Sequence, residues 1–260
     1  MSSYGLRLRG AAGVVVAALL FATTGAVGGP GELTVVSVGP MEEPLHQVLA
    51  LFERDVGLTV AVSYARRGQL AAKVRGADHP DVVIATQDEM DMLGRDDQIQ
   101  SASRAALCRV GFGVAKHKSA PALDLSSTDA LKQALLQAKS LSYADPQDGP
   151  AGRQAIAVVE RLGIADALKT KTRLGTGSNP VASIGFGDVE MGLYPIDEIL
   201  RAPGVTLAAP LPAELQQWTR YDVALIGGAP NRSEARRLLA FLIGASARAS
   251  LKAKGFESFE

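Results

Sequence analysis

The sequence predicts an α/β protein organised as two lobes, and three observations lead to this prediction. Apolar, β-branched runs alternate with amphipathic helical stretches along most of the 260 residues, which is typical of a mostly parallel sheet covered on both faces. A turn between a strand and the following helix recurs four times, twice in each half. The length suits one large domain or two lobes. If the strand ends of two lobes face one another, these turns line a common cleft, where function collects in such folds.

The composition is that of a globular protein whose charges balance. Hydrophobic residues make up 47% of the chain and charged residues 21%, with 27 basic and 27 acidic side chains. Because there is no broad positive field, the composition argues against a basic nucleic-acid-binding protein. Cys108 is the only cysteine, so no intramolecular disulfide can form and stability has to come from the core.

Residues 1–26 are predicted to form a cleaved, Sec-type signal peptide. Arg7 and Arg9 precede an apolar run of about twelve residues, and small residues follow up to a cleavage site near Ala26. The run is shorter than the ~20 residues of a spanning helix, so an uncleaved membrane anchor is the lesser alternative. Removing Arg7 and Arg9 would leave two more acidic than basic side chains.

The first predicted strand covers residues 33–38 and ends at a turn with Gly39 and Pro40. A helix follows, with Glu42 and Glu43 in its first turn, where acidic side chains suit the helix dipole. Its apolar positions recur at helical spacing: Leu45, Val48, Leu49 and Phe52.

The second strand, residues 58–65, stops at Arg66, Arg67 and Gly68, and a helical pattern begins at Gln69. Backbone N–H groups at a strand-to-helix junction favour an anion, and two guanidinium groups would add bidentate recognition of a carboxylate or similar oxyanion. The alternative is that one or both arginines merely solvate the surface, because consecutive side chains at a turn usually diverge.

The remaining predicted elements repeat this organisation. A third strand at 80–85 precedes a helix start, and a second section opens near 108–119 with a strand followed by a loop. The later elements are a helix at 127–139 capped by Ser127 or Thr128, a strand–turn–helix unit at 140–163 with Pro150 at the helix start, a helix start at Pro180, a strand at about 190–194, a return strand at 221–228, and two C-terminal helical stretches broken at Gly244 and ended by Gly255.

Four segments together resemble the periplasmic solute-binding proteins of the molybdate-binding type. They are "DPQDGPAGRQAIAVVERLGIADALKTK", "GDVEMGLYPIDEIL", "VTLAAPLPAELQQWTRYDVALI" and "EARRLLAFLIGASARASLKAKGFE", and the resemblance covers nearly all of residues 33–257 in order. It implies a type II periplasmic-binding-protein fold in which each lobe is a mixed sheet flanked by helices and joined to the other by crossing strands. It also implies a ligand clamped between the lobes, a periplasmic location and delivery to an ABC permease. The expected division is residues 33–108 plus 222–260 for lobe 1 and 109–221 for lobe 2.

The resemblance implies a ligand shell formed at five places in this chain. These are Gly39, Pro40 and Met41; Arg66, Arg67 and Gly68; Ala151 and Gly152; the segment from Asn179 to Val181; and Tyr194 with Pro195. Molybdate binders use serine hydroxyls at the first two turns, whereas this chain has Pro40 and the arginine pair there. Two cations suit a small organic acid with more than one carboxylate better than a tetrahedral metal oxyanion. The ligand is therefore expected to be a small anion, with a polycarboxylate preferred.

A second function stays open, because aconitate isomerases resemble the same family. Moving a double bond needs a proton taken from one carbon and returned to another, so one acid–base group has to lie near the substrate. The candidates are Tyr64, Glu42, Glu43, His46 and Tyr194, with Tyr194 alternatively a rim aromatic.

We predict no cofactor and no metal site. His46, His79 and His117 are scattered without metal-ligand spacing, and Cys108 has no partner nearby in sequence. A monomer is expected, because a clamshell works as a single chain.

Overall fold

The computed structural model describes residues 32–66, 68–76, 80–147, 149–176, 179–229 and 231–259. The predicted signal peptide, together with Arg67, His79 and Asp148, lies outside these described residues.

The described chain contains strands β1 to β10 and helices α1 to α10, which alternate along most of its length. The strands are Leu33–Val38 (β1), Val60–Ala65 (β2), Val82–Thr86 (β3), Ala105–His117 (β4), Leu141–Ala144 (β5), Thr172–Gly175 (β6), Met191–Pro195 (β7), Val205–Pro210 (β8), Trp218–Leu225 (β9) and Phe256–Glu257 (β10). The helices are Glu42–Val56 (α1), Leu70–Arg75 (α2), Gln87–Arg95 (α3), Thr128–Gln137 (α4), Pro150–Arg161 (α5), Ala165–Leu168 (α6), Ala182–Gly185 (α7), Ile196–Arg201 (α8), Arg232–Leu242 (α9) and Ala245–Ala253 (α10). Short 3₁₀ turns occupy Gly39–Met41 and Ser101–Ser103.

Eight of these strands form a curled sheet in the order β2-β1-β3-β9-β4-β7-β5-β6, and β8 and β10 each pair with β4 beside this path. β2, β1 and β3 run parallel at one end of this order, and β7, β5 and β6 run parallel at the other. The central strands β9 and β4 pair antiparallel with each other and with their neighbours. Each parallel set brings the carboxyl ends of its strands to one edge, which is where the predicted turns lie.

The long strand β4 belongs to both parts of the sheet. Its residues from Ala105 to Gly111 pair with β9, and those from Phe112 to His117 pair with β7 and β8. The Gln216 side chain stabilises β4 at the point where its pairing changes. The Phe112 backbone N–H donates to Gln216 Oε1 at 2.7 Å, and Gln216 Nε2 donates to the Phe112 carbonyl at 3.1 Å. β4 is therefore a crossing strand.

The buried side chains divide at the same point of the chain. One core cluster takes its residues from 33–110 and 221–256, and the other two take theirs from 112–215. The lobe boundaries given above stay a proposal, which this division of the core supports.

Local signals predicted several boundaries that the structure has. The α1 positions predicted to be apolar are buried, the Ser127 side chain accepts a hydrogen bond from the Ala130 N–H at 3.1 Å, and Pro150 begins α5. Gly244 lies between α9 and α10, and Gly255 follows α10 with a φ of 87°.

Other elements differ from the prediction. The helix expected at Pro180 is only the single turn Ala182–Gly185, while β6, β8, α6 and α8 were not predicted. These elements have six residues or fewer, and such short segments carry little periodicity. No helix in the described ranges has both the length and the hydropathy needed to cross a membrane.

Candidate functional site

The first two predicted turns lie side by side. Val38 and Ala65 end β1 and β2 in parallel register, and paired strands are ~4.8 Å apart. Gly39 and Arg66, which follow these two strands, are thus neighbours, and a Cβ added to Gly39 would lie 4.0 Å from the Ala65 carbonyl oxygen.

The residues of the first turn differ in their exposure to solvent. Gly39 and Pro40 are exposed, whereas the Met41 side chain is fully buried in the core. Any contact from position 41 to a ligand must therefore come from the backbone. Pro40 contributes neither a hydroxyl nor an N–H, so the turn offers no side-chain hydrogen-bond donor.

The second turn has one cationic group among the described residues. Arg66 is exposed and forms no ion pair with any residue in the described ranges. Gly68 has a φ of 76° and open space around its Cα, so the backbone turns tightly there without a side chain. Helix α2 has six residues, so its dipole adds little at this turn.

The turns of the second half meet at the ends of β5, β6 and β7. Ala144 is paired with Gly175, and the Asp145 N–H donates to the Gly175 carbonyl at 3.1 Å. A Cβ at Gly152 would lie 2.5 Å from the Asp145 carbonyl carbon and closer still to the Ala144 oxygen. Only glycine lets the first turn of α5 sit on the end of β5. Ala151, beside it, is half-buried.

Tyr194 is fully buried at the end of β7, so it is not a rim aromatic. Its hydroxyl donates to the Pro180 carbonyl at 2.8 Å and lies 3.0 Å from Ser142 Oγ. Burial raises the pKa of Tyr194 to about 12, which keeps the hydroxyl protonated at neutral pH. This hydroxyl ties the segment from Asn179 to Val181 to the end of the strand.

The structure separates the five predicted acid–base candidates by their protonation and exposure. Burial raises the pKa of Tyr64 to about 12, and its hydroxyl donates to the Glu42 carbonyl at 3.3 Å. Tyr64 and Tyr194 are consequently proton donors rather than bases at neutral pH. The other three candidates, Glu42, Glu43 and His46, are exposed, and Glu43 accepts from Lys254 Nζ at 2.6 Å.

Sequence reasoning missed three charged residues on α8. A cavity of about 210 Å³ is lined by Asn179, Pro180, Val181, Glu198, Arg201 and Ala202. Glu198 Oε2 is buried and has no hydrogen-bond partner in the described ranges. Burial raises the pKa of Glu198 to about 7, and the neighbouring Asp197 carboxyl is the second cause of this increase. An acid pair in the first turn of a helix is usually exposed, so the sequence contained no signal for this burial.

A second cavity shows that α8 lies between the two parts of the molecule. It measures about 160 Å³, and its lining includes Glu43 at the start of α1, Lys254 after α10, and both Asp197 and Arg201 of α8. Burial raises the pKa of Asp197 to about 6, with the Arg201 guanidinium opposing the shift. Arg201 lines both cavities.

Comparisons with known proteins agree with this architecture. An aconitate isomerase from a Pseudomonas species is 25% identical over 230 residues, covering 86% of this chain and 87% of the isomerase. The molybdate-binding protein ModA of Escherichia coli K12 is 25% identical over 244 residues, covering 92% of this chain and 95% of ModA. A substrate-binding domain assigned to a molybdenum ABC transporter of Clostridium difficile has a TM-score of 0.77 at 18% identity, covering 88% of this chain and 99% of that domain.

The two parallel strand sets, the crossing strand and the turns at the strand ends define a periplasmic-binding-protein fold, which confirms the predicted fold class. The sequence profile of the bacterial extracellular solute-binding proteins matches residues 33–257, and the chain belongs to this family. The predicted resemblance to the molybdate-binding type is confirmed by the sequence similarity to ModA, and the fold of the Clostridium difficile domain agrees with it.

Proposed function

We propose that this protein binds a small anion between the turns of its two lobes and presents it to an ABC permease in the bacterial inner membrane. Residues 1–26 would direct it to the periplasm, where it would act as a monomer. Family membership and the molybdate-binding relative support this proposal. Closure of two lobes about crossing strands is a known way for such folds to hold a ligand.

The groups available at the turns fit an anion. Among the residues that the structure describes, no side chain caps the first turn of α1, with 15 residues, or of α5, with 12. The first N–H groups of a helix have no partner within the helix, and the dipole there favours negative charge. In α1 the Glu42 N–H already donates to the Gly39 carbonyl and Pro44 has no N–H, so the backbone donors for an anion would come mainly from Ala151 and Gly152 of α5.

The observation that carries the ligand class is Arg66, which forms no ion pair within the described part of the chain and lies beside a first turn that has no hydroxyl. Burying an anion without a counter-charge is costly, and a guanidinium–carboxylate fork offsets that cost directionally. We therefore propose an organic polycarboxylate rather than molybdate as the preferred ligand.

A thermal-shift screen tests this proposal. Molybdate, tungstate, sulfate, citrate, cis-aconitate and trans-aconitate would each be added, because a ligand at 100 times its Kd stabilises the native state by about 2.7 kcal/mol. We expect a polycarboxylate to give the largest shift. If molybdate or tungstate stabilises the protein and no polycarboxylate does, the proposed ligand class is wrong.

Replacing Arg66 then tests the role of the turn. Arg66→Gln should weaken polycarboxylate binding by about tenfold to a hundredfold, the loss of one charge-assisted contact of ~1.5–3 kcal/mol. Arg75→Gln is the matched control, because Arg75 is exposed at the opposite end of α2 and loses the same charge. Equal affinities of both variants would contradict a contact from Arg66.

The alternative function is an isomerase on the same scaffold, and the aconitate isomerase relative favours it. Arg66 would hold a carboxylate and stabilise the charge that develops when a proton leaves the substrate. Incubating purified protein with trans-aconitate and following the cis isomer tests this function. An absence of turnover at high protein concentration would exclude it.

A further inference from the structure

We propose that Glu198 is a ligand contact that donates a hydrogen bond to the bound anion while it is protonated, so that binding takes up a proton. This inference rests on the proposed function, because it requires an anion at the segment from Asn179 to Val181.

The cavity beside α8 has room for an anion and the groups to hold one. Its volume of about 210 Å³ is more than ten times the ~10–15 Å³ that one water requires. Its lining brings the predicted ligand residues Asn179 and Val181 together with Glu198 and the cation Arg201. It therefore combines a positive charge, an amide and a carboxyl group beside one predicted ligand segment, and all of these groups belong to the second lobe, so they would form one side of the anion site.

The hydrogen bonding of Glu198 is incomplete in this structure. Its side chain is 18% exposed, its Oε1 lies 3.9 Å from Arg201 Nη2, and its Oε2 has no partner among the described residues. That separation is too long for a hydrogen bond. Because Oε2 is closed to solvent in this structure, a protonated Glu198 would donate to an anion in the cavity from Oε1, which has no hydrogen bond to any described residue.

The charges around Glu198 favour its protonated form when an anion is present. An ionised Glu198 would repel the anion, so the anion and the proton should bind together. The titratable and charged groups that act on this region are Asp197 and Arg201 on α8, Tyr194 on β7, Tyr221 on β9, Glu43 on α1 and, paired with Glu43, Lys254 after α10.

The sign of the pH dependence follows from this linkage. Burial already raises the pKa of Glu198 to about 7 in the free protein, and the anion should raise it further. Binding then takes up one proton above that pH, and the affinity should fall by up to about tenfold for each pH unit. Below pH 7 the carboxyl group is already protonated, so the affinity should level off.

Titration calorimetry with trans-aconitate and with molybdate, at pH values from 5.5 to 8.5, tests the inference. Comparing heats in two buffers of different ionisation enthalpy measures proton uptake directly on the wild-type protein. Glu198→Gln keeps the shape of the side chain and one donor but cannot ionise, and Glu160→Gln, exposed on α5, is the matched control. Comparing variants with the wild type cancels the titration of the ligand itself.

We expect the wild type and Glu160→Gln to lose affinity above pH 7, and Glu198→Gln to lose none beyond the titration of the ligand. Identical pH profiles of the wild type and Glu198→Gln, or no proton uptake by the wild type, would overturn the role of Glu198 while leaving anion binding intact. A wild type that binds neither anion at any pH would contradict anion binding itself, and this inference with it.

Discussion

A buried carboxylate at the crossing strands gives the sharpest prediction about stability. Asp222 on β9 is fully buried and accepts from Arg104 Nε and Arg220 Nε, each at 2.7 Å. Arg104 Nη1 also donates to Asp91 Oδ1 at 2.5 Å. Asp222→Asn removes the charge that both arginines share and leaves two cations facing a neutral amide.

The magnitude follows from the two contacts and their exposure. Removing one partner of a buried pair costs ~3–5 kcal/mol, and hydrogen bonds to charged groups contribute ~1.5–3 kcal/mol each. The side chains of Arg104 and Arg220 are 25% and 39% exposed, so water recovers part of the loss. We expect the free energy of unfolding to fall by about 3 kcal/mol. The melting temperature should then drop by roughly 6–12 °C, at ~2–4 °C per kcal/mol for a chain of about this size.

Urea denaturation followed by circular dichroism measures this change. Asp55→Asn is a matched control, because Asp55 also accepts from an arginine Nε at 2.7 Å but at an exposed site. We expect no measurable shift of its urea midpoint, since exposed pairs contribute little. Equal shifts for Asp222→Asn and Asp55→Asn would refute the reasoning that burial determines the cost.

Two further predictions concern the candidate site. Gly152→Ala should destabilise the protein by about 1–3 kcal/mol, because its Cβ meets backbone atoms of Asp145 and Pro146. Gly149→Ala in the same loop, where a Cβ meets nothing within 4 Å, should lower the thermal midpoint clearly less, because it changes only the N-cap of α5. The second prediction follows from the raised pKa of Glu198, about 7, against an ordinary value near 4.5. The folded state holds this proton more tightly than the unfolded state, so the free energy of unfolding should fall as pH rises from about 4.5 to 7. Glu198→Gln should reduce that fall. Urea midpoints measured across this pH interval test the difference. An unchanged pH slope in the variant would contradict the shift.

The extent of sequence-based prediction can be seen at particular residues. The spacing of Leu45, Val48 and Phe52 predicted the buried face of α1, because helical periodicity lies within a few turns of chain. Turn chemistry at Pro150 and Gly244 predicted where helices begin and end. The resemblance of four segments to one family predicted the fold class.

The surroundings of individual side chains could not be predicted from such local patterns. Tyr194 precedes a proline at a strand end, yet whether its hydroxyl faces a cleft or Pro180 depends on a loop 14 residues away in sequence. The buried state of Glu198 likewise depends on neighbours from several elements. These are contacts between distant parts of the chain, and no local pattern records them.

The amino-acid sequence alone determined the alternation of strands and helices, the positions of the turns and the cation at Arg66, because each depends on a few consecutive residues. Tertiary structure decided that β4 changes partners at Phe112, that Asp222 is shared by two arginines and that the acid pair of α8 is buried beside a predicted ligand segment. The physical reason is that burial and charge pairing depend on distances in space, and these are set only when the chain has folded.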